Sequence, residues 1–248
     1  MKQPEFVNNE IYHIYNRGVE KRKIFLDEKD YFRFIHNLFE FNDVVPASNR
    51  RSSRQKQLVE VGLPPVRKPR VKPMEVRLPR AEVRKPRELL VNILAFCLMP
   101  NHFHLILIQK EDKGITRFMR KMGTGYTNYF NTKYDRVGPL FQGKFKAKIV
   151  RKDEYLLHLV DYIHLNPAEI IRPKWKDGET GNLGEIKNFL QNYRWSSFLD
   201  YIGKKNFPSI TQRNFLLNFF SDIQDYEKEF FSQFQKIDLE KIKELIIE

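Results

Sequence analysis

The sequence predicts an α+β fold: a ferredoxin-like antiparallel sheet with helices on one face, plus C-terminal helices. Three observations carry that expectation. Apolar strand-like runs and segments of helical periodicity follow one another as strand, helix, strand, strand, helix, strand, helix. A short turn, Met99-Pro100-Asn101, separates the second and third strands, as a β-hairpin requires. A hydrophobic content of 41%, with 21 Phe and 11 Tyr, can build a core in a chain of 248 residues.

The elements follow in order. Residues 1–10 are polar and read as a loose lead-in. Ile11 to Arg17 is rich in β-branched and aromatic residues and stops at Gly18, a first strand. Asp27-Glu28-Lys29-Asp30 opens a helix whose apolar face is Tyr31, Phe34, Ile35, Leu38 and Phe39. Leu89 to Leu98 is the second strand and His102 to Gln109 the third. From Ile115 a long helix runs to about Tyr134. Gly123 and Gly125 lie inside it, each costing about 1 kcal/mol against Ala. That cost makes sense where something approaches the backbone closely, or at a kink. Phe145-Lys146-Ala147-Lys148-Ile149-Val150 alternates apolar and basic residues, a strand with Lys144, Lys146 and Lys148 on its other face. Asp153 to His164 is a helix closed by Asn166-Pro167. Residues 193–199, 211–220 and 224–247 read as further helices. The expected organisation is a domain over 1–170 and a helical extension over 171–248.

Residues 43–90 have a different character. Between Arg50 and Arg87 there are thirteen Lys/Arg, three Glu and six Pro. Such a stretch cannot bury enough apolar surface to fold alone, so it is expected to be a disordered basic insertion. It reads as a phosphate-binding arm or as a solvated linker. Most of the net charge of +13 sits there, and a pI near 9.6 points to an anionic partner, most simply nucleic acid. The single cysteine, Cys97, excludes an internal disulfide and lies in an apolar run as a core residue. No signal peptide and no 18-residue apolar run is found, so a cytoplasmic protein with no membrane partner is expected.

The chemistry centres on His102-Phe103-His104. On a strand the two imidazoles share a face, roughly 6–7 Å apart, with Phe103 on the other. They can converge on one metal ion, or they can be two idle strand histidines. A two-histidine site leaves positions open for a third polar ligand and for substrate oxygens, which in a basic chain are phosphate oxygens. No serine-histidine-acid set offers a nucleophile, but the long helix carries Tyr126, Tyr129 and Tyr134.

The stretch Met99-Pro100-Asn101-His102-Phe103-His104-Leu105 resembles the paired-histidine signature of HUH endonucleases. Gly125-Tyr126-Thr127-Asn128-Tyr129-Phe130-Asn131 and Gly138-Pro139-Leu140-Phe141-Gln142-Gly143-Lys144-Phe145-Lys146 are similar to the REP-associated tyrosine transposases. So are Tyr12-His13-Ile14-Tyr15-Asn16-Arg17-Gly18 and Tyr162-Ile163-His164-Leu165-Asn166-Pro167. The resemblance covers about residues 8–170. It implies a ferredoxin-like single-tyrosine transposase acting on single-stranded DNA near hairpin or palindromic repeats. The tyrosine attacks a phosphodiester, leaving a 5′-phosphotyrosine and a free 3′-hydroxyl, with Mg2+ or Mn2+ held by the histidines.

Carried over by residue, the resemblance makes His102 and His104 metal ligands and Tyr126 the nucleophile, with Tyr129 its rival. In the wider superfamily a polar third ligand often lies four residues after the tyrosine. Here that residue is Phe130, so Asn131 is the candidate, beside a ligand from elsewhere or water. Asn16, Arg17, Arg120, Lys121, Lys144, Lys146 and Lys148 are candidate DNA contacts. His164 is read as terminating a helix, and His13, His36 and His158 as structural. The rival functions are a non-catalytic nucleic-acid-binding protein and a metal-dependent hydrolase using water. A monomer and a homodimer, with the tyrosine supplied in trans, are both compatible with the sequence.

Overall fold

The computed structural model describes residues 3–45, 87–175, 182–220 and 223–233. The basic insertion lies almost wholly outside them, as does the last stretch from 234. Four strands form one sheet in the order β2-β3-β1-β4: β1 Ile11–Arg17, β2 Val91–Met99, β3 His102–Gln109 and β4 Lys146–Val150. Every pairing is antiparallel, and with α1 (Glu28–Glu40) after β1 and α2 (Gly114–Lys133) between β3 and β4 this is the expected ferredoxin-like arrangement. The lead-in is tied down: the Tyr12 hydroxyl donates to Glu5 O and accepts from Val7 N.

Strand alternation divides the core in two. Tyr12, Ile14, Phe96, Leu98, Phe103, Leu105 and Leu107 face α1 and α2. Leu94, Cys97, Ile106 and Ile108 face α3 (Asp153–Leu165) and the C-terminal elements. The helices expected on one face are therefore α1 and α2, and the later helices cover the other.

Local signals explain the helix ends. Asp27 accepts from Asp30 N at 3.1 Å while the Asp30 carboxylate accepts from Asp27 N at 3.3 Å, a capping box at the start of α1. The same buried carboxylate accepts from Lys133 Nζ, Tyr134 Oη and Tyr129 Oη, which ties α1 to the end of α2. Burial pushes the Asp30 pKa up, but these donors outweigh it and hold it below the usual value. Gly125 is the close approach that its sequence position implied, since a Cβ there would lie 2.5 Å from the Phe41 ring.

The C-terminal part seals an edge. β2 is an outer strand, whose free backbone groups invite mispairing. Here Leu98 N donates to Trp195 O, Ser197 N to Phe96 O, and Gln212 N to Ile93 O. The hydroxyls of Tyr193 and Tyr201 donate to Leu98 O and Leu94 O. Residues 193–199 are thus mainly an edge-pairing turn, followed by the one-turn helix α6 (Phe198–Tyr201) after α4 (Ala168–Ile171) and α5 (Leu183–Leu190). The helix expected over 211–220 is only one turn, α7 (Asn214–Leu217), and α8 runs Ile223–Gln233. Buried His164 anchors α8, with Nδ1 at 2.7 Å from Tyr226 Oη and Nε2 at 2.8 Å from Ser197 Oγ. It therefore has a tertiary role in addition to its place at a helix end. Cys97 is fully buried, as expected. No helix among the described residues is long and apolar enough to cross a membrane.

Candidate active site

His102 and His104 enter β3 from the Pro100 turn and point to the face that α3 covers. Their ring centroids are 5.0 Å apart and nearly perpendicular. Asn101 Oδ1 accepts from His102 Nδ1 at 2.7 Å, which leaves the lone pair on Nε2. His104 Nδ1 lies 2.9 Å from Nε2 of the fully buried His13, a diagonal neighbour across the β1–β3 pairing, in which Tyr15 stands opposite His104. A ligating histidine whose other nitrogen is held in this way has a set orientation.

A cavity of about 230 Å³ opens on the pair, and Arg17, Lys21, Lys146 and Glu169 line it with Tyr15 and Asn16. Its three cations make it suited to a phosphate. Arg17 Nε donates to Gln142 Oε1 at 2.5 Å, and Asn16 Nδ2 to Gly143 O at 3.2 Å. The predicted residues Asn16, Arg17 and Lys146 are thus gathered around the histidines, and Lys148 follows on the same side of β4, opposite His13. Lys144 and Arg120 are not: they line a second cavity on the α1/α2 side. Lys121 is occupied structurally, its Nζ donating to Asp43 O at 2.7 Å.

Tyr126 lies among the core residues under α1 and α2. Tyr126 is fully buried beneath α1, with its ring 5.0 Å from Phe34 and its hydroxyl donating to Ile24 O at 2.6 Å. Burial pushes its pKa far up. It packs on the Phe103 face of the sheet, so the strand alternation that pairs the histidines also turns them away from Tyr126. Tyr129 is on the same side, donating to Asp30, and its pKa is pushed up to about 12 by burial. Asn131 is on the same helix, its Nδ2 donating to Gly138 O at 2.9 Å and its Oδ1 without a partner among the described residues.

The histidine face has its own tyrosine. Tyr162 of α3 stands edge-on to His104, with ring centroids 6.0 Å apart at 85°. Four residues later, one turn along that helix, is Asn166, fully buried, whose Oδ1 has no hydrogen-bond partner among the described residues. The sequence marks Tyr162 to Pro167 only as a stretch similar to the transposases that ends in a helix stop, although the spacing of four between Tyr162 and Asn166 is the one that Tyr126 lacks. Tyr15 is a second neighbour, its ring 5.9 Å from His104 and its hydroxyl without a partner among the described residues. Burial pushes the Tyr15 pKa up to about 12.

His102 and His104 offer two imidazoles of the kind that hold a divalent ion, and the buried Asn166 amide oxygen lacks a hydrogen-bond partner among the described residues. Among the described residues no three His, Cys, Asp or Glu side chains are placed to hold a metal.

No curated protein matches the chain. A solved structure of a REP-associated tyrosine transposase bound to a REP hairpin shares 12% identity, with 84% of this chain and 88% of that one covered and a TM-score of 0.46. Residues 69–166 match the family model described as "Transposase IS200 like". That segment contains β2, β3, α2, β4 and α3, and with them His102, His104, Tyr162 and Asn166. Residues 69–166 of this chain are thus similar to the IS200-like transposases.

Proposed function

We propose that the protein is a metal-dependent single-stranded DNA transposase/endonuclease that cleaves and rejoins strands near hairpin or palindromic repeats, with Tyr162 as its nucleophile. The observation that carries this reading is the placement of Tyr162 and Asn166 on the sheet face that bears His102 and His104, in a chain with an IS200-like segment. A hairpin partner also accords with the DNA in the solved structure named above.

The phenol oxygen of Tyr162 would attack phosphorus while the P–O3′ bond breaks, giving a 5′-phosphotyrosine and a free 3′-hydroxyl. Rejoining is the reverse attack by a 3′-hydroxyl. Arg17, Lys21 and Lys146 hold the phosphate and offset its charge. Glu169, the carboxylate in the cavity lining, is suited to take up the phenol proton. His102, His104 and Asn166 would hold Mg2+ or Mn2+, which supplies Lewis-acid stabilisation of charge on the phosphoryl oxygens. Tyr162 is fully buried, so cleavage also requires it to be uncovered.

The test is a labelled single-stranded hairpin oligonucleotide with Mn2+, resolved for covalent adduct. We expect adduct with the wild type, Tyr126→Phe and Tyr15→Phe, and none with Tyr162→Phe. Adduct that survives Tyr162→Phe overturns the nucleophile. Hairpin binding by the wild type without any adduct favours the non-catalytic alternative, and free 5′-phosphate independent of Tyr162 favours a hydrolase. Mixing His102→Ala with Tyr162→Phe tests composite dimer sites, which restored adduct would show.

A further inference from the structure

The second cavity, of about 600 Å³, lies on the opposite side of the sheet from the histidines. Its floor is Phe34, Phe103, Met119, Met122 and Phe141, none more than 8% exposed. Its rim carries Arg120, Lys144, Thr127 and Asn128, and no acidic residue lines it among the described residues. An apolar aromatic floor beneath a cationic, hydrogen-bonding rim fits a planar heterocycle attached to a phosphate chain.

Two further observations point to the same occupant. Gly123 lies in the middle of α2 and lines this cavity, yet a Cβ there would meet nothing within 4 Å. Unlike Gly125, it is not explained by packing within the protein, although glycine weakens a helix. The two cavities also adjoin. Asn16 lines both, and the loop that Asn16 bonds through Gly143 O offers Gln142 to the histidine cavity and Lys144 to the other. The two cavities thus meet where Asn16 bonds Gly143 O.

We infer that this cavity is a pocket for an unpaired base of the bound strand, turned out of its stack and seated against Phe141 over Gly123. The inference rests on the proposed DNA reading and adds a base-binding subsite on the sheet face away from the chemistry. A base seated there reads the strand by shape and by the polar groups of Thr127 and Asn128, while Arg120 and Lys144 take the flanking phosphates.

The experiment measures fluorescence anisotropy of the full chain with a labelled 15-nucleotide single-stranded oligonucleotide and with its fully abasic counterpart. The wild type is expected to prefer the base-bearing strand by about 10-fold, the scale of one stacked base. Gly123→Met, which extends a side chain into the cavity, should reduce that preference to near unity while abasic binding stays unchanged. Gly123→Ala should reduce it in part without lowering the melting temperature, which separates lost binding from lost folding. An unchanged preference in both folded variants overturns the pocket, and so does equal wild-type binding of the two strands. Failure of the wild type to bind either strand overturns the DNA reading itself. A strand carrying 5-iodouracil should photo-crosslink to Phe141 or Phe145, and crosslinks confined to the histidine side also overturn the pocket.

Discussion

Replacing Tyr126 with Phe separates a structural tyrosine from a catalytic one. The substitution keeps the ring among Phe25, Phe34 and Phe141 and removes only the hydroxyl that donates to Ile24 O at 2.6 Å. Losing the donor from a buried acceptor costs about 2 kcal/mol. For a chain of this size that lowers the melting temperature by roughly 4–8 °C. Ile24 leads into α1, so the loss is expected in global stability and not in a local step of catalysis. Thermal melting by circular dichroism, paired with adduct formation at 20 °C below the midpoint, reads both quantities on one preparation. The reasoning predicts a destabilised protein that still forms adduct. A Tyr126→Phe protein with unchanged melting and no adduct would refute it, because the hydroxyl would then act in the chemistry without supporting the fold.

Three other outcomes follow from the same structure. Gly125→Ala should destabilise by about 1–3 kcal/mol in urea unfolding despite its better helix propensity, because the new Cβ meets the Phe41 ring at 2.5 Å. Burial pushes the His164 pKa down from 6.5 to about 3, so the unfolded chain takes up a proton below pH 6.5 that the folded chain refuses. Stability from this group is complete above pH 6.5 and declines as pH falls toward 3. Between pH 7.5 and pH 5 the loss is about 2 kcal/mol, and His164→Gln should flatten that part of the urea-midpoint profile. Saturating Mn2+ at 100 times its Kd should stabilise the fold by about 2.7 kcal/mol, reversed by chelator and absent in His102→Ala. A shift that persists in that variant would place the ion elsewhere.

Much of the fold was legible because local rules determine it. The bounds of β1, β3, α1 and α3 follow from period-two and period-3.6 patterns and from the acids at Asp27, Asp30 and Asp153. Helix boundaries after 190 were less legible, since Tyr193, Trp195 and Tyr201 are shaped by pairing with the edge of β2, a long-range partner.

The sequence by itself determined that His102 and His104 share a face and that Phe103 takes the other, because a strand has period two. It also held the spacing of Tyr162 and Asn166, one turn apart on a helix. Only the tertiary structure decided which helix meets which face. Apolar Phe103, Leu105 and Leu107 go under α1 and α2, where the largest aromatic cluster can exclude water. That choice buries Tyr126 and leaves the histidine face to α3. The same packing brings His13 to His104 from 91 residues away, a contact no spacing in the chain could reveal.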